Sequence, residues 1–146
     1  MSVVIDTGLF YAVQNERATN HDTAKRALSH VFSGEFGQPY ATDFVYDETV
    51  TLVRSRTNSF REATHAGNRI LGRADYPDVV EFVTVSKTLF KESIEIFERY
   101  RDHALSFTDA STIALVKNRD IDFVLAFDDD DFDGVVSRLA PAEIAA

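Results

Sequence analysis

Apolar positions along this chain follow two rhythms, one of strands and one of helices. Val3-Val4-Ile5 is a short, continuous, β-branched run, the pattern of a strand covered on both faces. Between His21 and Phe32 the apolar residues Ala24, Ala27, Leu28, Val31 and Phe32 form one stripe of an amphipathic helix, which Gly34 to Gly37 ends. Residues 38–42 predict a second strand, with Pro39 at its start, where a missing donor is tolerated. Thr42 or Asp43 then caps a helix carrying Val45, Thr49, Leu52, Val53 and Arg56. Ser59-Phe60-Arg61-Glu62 has the form of a capping box and opens another helix, with Ala63, Ala66, Ile70 and Leu71 inward.

Tyr76-Pro77-Asp78 breaks that helix, and residues 79–85 predict a third strand. Ser86 is an N-cap, and Phe90, Ile94, Phe97 and Tyr100 share one face of the helix it opens. Ser106 or Thr108 caps a helix through Lys117, residues 123–127 give a fourth strand, and 135–139 a fifth. Strands separated by helices indicate βαβ units. The predicted class is therefore α/β: a central, mainly parallel sheet of about five strands with helices on both faces.

With 146 residues, 45% hydrophobic, and no repeat or linker, the chain fits one domain with a continuous core. It contains no run of about 18 apolar residues and no basic leader before Val3, so neither a membrane span nor a signal peptide is expected. Without cysteine there is no disulfide and no thiolate metal site, which fits a cytoplasmic protein. Net charge is −9 and the sequence pI about 4.8, so bulk charge does not recruit polyanions. Lysine is confined to Lys25, Lys87, Lys91 and Lys117, a balance consistent with a salt-rich cytoplasm or with an ordinary acidic protein.

Four acids stand where the apolar pattern breaks. Asp6 follows the first strand and Asp128 the fourth, so both belong at the carboxyl edge of the sheet, where open α/β folds bind ligands. Asp109 lies in the first turn of its helix, and Glu48 about a turn and a half into another. Two carboxylates about 4 Å apart repel by roughly 4 kcal/mol at an effective dielectric near 20. Gathered together, such groups need protons or cations. Oxygen ligands without nearby Cys or His favour Mg²⁺ or Mn²⁺ over zinc, and that chemistry suits phosphodiester hydrolysis. Asp129, Asp130, Asp131 and Asp133 read as a solvated loop.

Val4-Ile5-Asp6-Thr7-Gly8, Tyr46-Asp47-Glu48-Thr49-Val50-Thr51-Leu52-Val53, Phe107-Thr108-Asp109-Ala110-Ser111 and Val124-Leu125-Ala126-Phe127-Asp128 occur in that order. Together they resemble the PIN-domain ribonucleases, specifically the VapC-like toxins of prokaryotic toxin–antitoxin pairs. The resemblance implies a three-layer PIN fold and an endoribonuclease dependent on Mg²⁺ or Mn²⁺. It also implies a cognate antitoxin and a homodimer. Asp6, Glu48, Asp109 and Asp128 take the catalytic and metal-binding positions by it, and Thr7 and Thr108 the neighbouring hydroxyl positions. The family places an acid three residues before a phenylalanine; here Asp129 has that spacing to Phe132, while Asp128 follows the strand and is taken as the fourth acid.

From Arg54 to Arg73 the chain carries Arg54, Arg56, Arg61, Arg69 and Arg73 against the single acid Glu62. Arg54, Arg56 and Arg61 are candidates for holding RNA phosphates, beside the alternative of a solvated helical face. Phe60, Phe90 and Phe97 are assigned to core packing in preference to base stacking, and His21, His65 and His103 lack ligand spacing. Phosphoryl transfer of the haloacid-dehalogenase type requires a second Asp where Gly8 stands, and a receiver module requires paired acids beside Asp6. The remaining alternatives are a non-catalytic PIN scaffold binding RNA or a protein, and a PIN nuclease of RNA processing outside a toxin–antitoxin pair.

Overall fold

A computed structural model describes residues 1–146. The five strands are β1 (Ser2–Ile5), β2 (Gln38–Thr42), β3 (Glu81–Val83), β4 (Phe123–Leu125) and β5 (Arg138–Leu139). They form one parallel sheet in the order β3-β2-β1-β4-β5. The chain builds outward from β1 to β3 on one side, then crosses to β4 and β5 on the other. Its topological switch point therefore lies between β1 and β4.

Side chains alternate across β1 as a strand requires, so Val3 and Ile5 enter one core and Val4 the other. On the first face pack α1 (Thr7–Gln14), α2 (His21–Phe32) and α3 (Asp43–Thr57), around Leu9, Phe10, Leu28 and Val45. The second face carries α5 (Lys87–Arg99) and α6 (Phe107–Arg119), with Leu89, Ile96, Ile113 and Leu115 inward. Helix α4 (Phe60–Leu71) packs on α3 through Ala63, Ala66 and Val53. Short turns α7 (Asp129–Phe132) and α8 (Pro141–Ile144) complete the chain, and no helix is long and apolar enough to cross a membrane.

The caps expected from sequence form at Thr42, Ser59 and Ser86, whose hydroxyls each accept from a backbone N–H three residues on. The box at Ser59 closes on one side only, because Gln14 Nε2 donates to Glu62 at 2.6 Å and holds its carboxylate. Helix α1 has no counterpart in the expected pattern. Six of its eight residues are buried, so it lacks the polar face that would mark a helix. The third, fourth and fifth strands are also shorter than the predicted ranges, at three, three and two residues.

Of the expectations about aromatic residues, one fails and another holds only in part. The inward face of α5 is Leu89, Ser93 and Ile96, while Phe90, Ile94 and Phe97 point outward at 43%, 38% and 42% exposure. Phe60, at N1 of α4, is 73% exposed, because Ala63, Ala66, Gly67 and Ile70 already fill that helix's buried face. The predicted core packing of Phe60 fails, and that of Phe90 and Phe97 is only partial.

Candidate active site

The switch point puts the ends of β1 and β4 side by side, with Asp6 N–H donating to the Leu125 carbonyl at 3.1 Å. Beyond these ends lies a cleft of about 320 Å³ lined by Asp6, Thr7, Glu48, Ser106, Asp109, Asp128 and Asp131, with Gly8, Leu52 and Phe127 between them. All four acids singled out from sequence meet there. Other surface hollows are comparable in size, but none gathers so many carboxylates.

Each acid arrives by a different route. Asp6 is the first residue after β1 and the N-cap of α1, yet its side chain makes no capping hydrogen bond. It is buried to 7% exposure, and its Oδ1 has no hydrogen-bond partner. Burial pushes its carboxyl up to about 8, helped by the charges of Asp109 and Glu48; the amides of Thr7 and Gly8 oppose the rise only in part. Asp109 is as deeply buried but satisfied. It completes a capping box with Ser106, accepting from Ser106 N–H and donating its own N–H to Ser106 Oγ, both at 3.0 Å. Glu48 comes from the second turn of α3 and is half-buried.

The acidic run after β4 is not a loop of equivalent residues. It winds into the single turn α7, anchored by the fully buried Phe132. Asp128 caps this turn, accepting from Asp131 N–H at 3.2 Å. Asp131, three residues on and therefore on the same side, lines the cleft. Its carboxyl is also raised to about 8, first by desolvation, then by hydrogen bonds and charge from Asp128 and Asp109. The reading of Asp131 as solvated loop is thus corrected, and the signal that could have found it was its i, i+3 spacing from Asp128. Asp129 is exposed and outside the cleft lining, and Asp133 turns away to pair with Arg138 at 2.9 Å.

Of the hydroxyls, Thr7 lines the cleft with its Oγ1 unpartnered. Thr108 does not line it; Ser106 occupies that place and caps α6. Arg54, Arg56 and Arg61 are exposed on α3 and α4, and none lines the acidic cleft. Arg54 borders a groove with Phe60 and Arg73, whereas Arg56 lies over the Tyr11 ring in a separate polar hollow beside Arg17.

An unpartnered buried carboxyl oxygen, an unpartnered buried hydroxyl and several further carboxylates make an oxygen-only donor set. That set fits a hard divalent cation, because it supplies the ligands such an ion prefers and leaves like charge otherwise uncompensated.

Comparison with known proteins agrees with this architecture. The profile of the PIN domain matches residues 3–136. The chain belongs to the PIN-domain family. It is 22% identical over 111 residues to a VapC ribonuclease of Archaeoglobus fulgidus, covering 75% of this chain and 67% of that protein. Among solved structures it resembles the sarcin–ricin loop cleaving toxin VapC20 of Mycobacterium tuberculosis. That match has a TM-score of 0.76 and 27% identity over 88% of this chain and 92% of the other. VapBC2 of Rickettsia felis, bound to a promoter DNA fragment, shares the fold at TM-score 0.69 and 10% identity, covering 95% and 98% of the two chains. The PIN-like α/β class expected from sequence is thereby borne out.

Proposed function

We propose that this PIN-domain protein is a VapC-like toxin, an endoribonuclease that hydrolyses RNA phosphodiester bonds with Mg²⁺ or Mn²⁺. The observation that carries the reading is the Asp6 carboxyl, buried at the switch point with one oxygen unpartnered and four further acids lining the same cleft. Asp6, Glu48, Asp109 and Asp128 hold the cation, with Asp131 as a fifth carboxylate of the same cleft. When bound, the cation lowers the pKa of a water and offsets charge on the phosphoryl oxygens. The residues of the chain do the rest. Asp6 is held rigidly by β1, Asp109 by its capping box, and the Thr7 hydroxyl is free to orient a water or a carboxylate. Attack of water on phosphorus breaks one P–O ester bond and leaves a phosphate on one fragment and a hydroxyl on the other.

Similarity to toxins of this group supports a cytoplasmic protein neutralised by a cognate antitoxin and associating with itself. Solved structures that share this fold include toxin–antitoxin complexes. Arg54, Arg56 and Arg61 are candidates for holding RNA outside the cleft, as exposed cations within reach of a long substrate.

Purified protein with Mg²⁺ or Mn²⁺ against EDTA, beside Asp6→Asn, is the test. The sarcin–ricin loop is a suitable first substrate, because the 27%-identical relative cleaves it. Cleavage that needs both the cation and Asp6 is expected. Intact RNA of every class, with metal bound and the fold confirmed, favours the non-catalytic scaffold.

A further inference from the structure

Residues 126–133 carry two of the five acids of the cleft on very little regular structure. The segment holds five aspartates, Asp128 to Asp131 and Asp133, and its only helix is the four-residue turn α7. Carboxylates this close together repel one another, and the repulsion favours opening the turn. Phe132 anchors it from below, fully buried in the core with Val124 and Ala126.

A single side chain holds its flank. Arg138 is the only lysine or arginine after Arg119. The chain returns through Gly134, at φ +85°, and sets Arg138 on β5 beside Val124 of β4. Its guanidinium makes three hydrogen bonds. Nη1 donates to the Ala126 carbonyl at 2.9 Å, Nε to Asp133 Oδ1 at 2.9 Å, and Nη2 to Asp133 Oδ2 at 3.4 Å. Ala126 lies two residues before Asp128, and Asp133 two residues after Asp131. One rigid fork therefore ties both ends of the acidic segment together. The arginine side chain is only 14% exposed, which shields these bonds from water and sets them apart from an ordinary surface pair.

We infer that Arg138 is a positioning residue of the cleft. By joining Ala126 to Asp133 it keeps Asp128 and Asp131 in the cleft lining with Asp6 and Asp109, and so sets how tightly the cleft holds a divalent cation. This rests on the reading of those carboxylates as a cation site, and it gives Arg138 no contact with substrate. Charge alone predicts the opposite effect. Arg138 is a cation near a cation site, so its removal strengthens binding by simple electrostatics, whereas loss of the fork weakens it. Lysine keeps the charge but is a point donor that cannot span a carbonyl and both carboxylate oxygens.

The test is Mn²⁺ titrated into the whole chain, with binding read by calorimetry or by the resonance signal of the free ion. Wild type is expected to bind. Arg138→Gln and Arg138→Lys, each checked for fold by circular dichroism, are expected to bind about tenfold more weakly. Asp133→Ala, which spares the arginine, is expected to weaken binding in the same direction. In EDTA, hydrogen exchange in Arg138→Gln is expected to quicken at the amides of residues 128–133 and to stay unchanged in β1 and α6. RNA cleavage at saturating Mn²⁺ is expected to stay near the wild-type rate, so that the loss lies in the cation requirement. Unchanged or tighter Mn²⁺ binding in Arg138→Gln overturns the proposal. Wild-type affinity in Arg138→Lys also overturns it, because charge without the fork then suffices. A wild type that binds no Mn²⁺ overturns the cation-site reading and this inference with it, a result distinct from either.

Discussion

Asp6 and Asp109 face one cleft, are equally buried, and live under opposite conditions. At the end of β1 the carboxyl of Asp6 caps nothing and leaves one oxygen unpartnered, so its charged form is strongly disfavoured. At the start of α6 the carboxylate of Asp109 accepts a hydrogen bond from Ser106 and sits at the positive end of a 13-residue helix. One acid is integrated into the fold; the other is held against the preference of its surroundings. The difference separates an acid that both builds and serves the site from one that only serves it.

The largest effect expected from this contrast is at Asp6. Asp6→Asn should reduce RNA cleavage at least about a hundredfold, as loss of a group stabilising transition-state charge does. In EDTA the same change should stabilise the protein, because it removes a destabilised carboxyl. The wild-type pH dependence has a definite sign. A carboxyl at about 8 in the folded protein and near 3.8 unfolded binds its proton in the folded state throughout that window. Its contribution is complete below about pH 4, falls as pH rises, and is lost above about pH 8, by at most about 1.4 kcal/mol per pH unit. Urea unfolding in EDTA from pH 5 to 8 measures that slope, and Asp6→Asn should flatten it.

Asp109→Asn should match the loss of cleavage and reverse the effect on stability. It weakens a charge–dipole interaction and the box with Ser106, for an expected destabilisation of about 0.3–1 kcal/mol. If both variants shift metal-free stability in the same direction, the contrast between the two acids is broken. The smallest effects belong to the exposed cations. Arg54→Ala and Arg61→Ala should change stability by less than about 0.5 kcal/mol while weakening RNA affinity more at low salt than at high salt, which a filter-binding titration reads.

Much of this was legible in the sequence, for physical reasons that also explain what was not. The acids at 6, 48, 109 and 128 were visible because each interrupts an apolar pattern whose meaning is local. Helix α2 and β2 matched their expected bounds for the same reason. Helix α1 was hidden because burial on nearly all sides removes the periodicity that betrays a helix. Asp131 was hidden because four consecutive aspartates look alike until one turn of helix gives them different directions. The outward stripe of α5 misled because periodicity identifies a face without saying which face meets the core; Leu89, Ser93 and Ile96 form an equally regular one.

The place of β1 in the sheet has a consequence for biosynthesis. The strand made first lies at the centre, and its neighbour β4 is synthesised after most of the rest of the fold. A nascent chain can display Asp6 and Glu48 early, but the wall carrying Asp128 and Asp131 exists only once β4 has docked and α7 has wound. The pairing that completes the cleft also closes one of the longest loops in the molecule, a late and slow event in folding. The finished cleft therefore exists only after most of the polypeptide has been made.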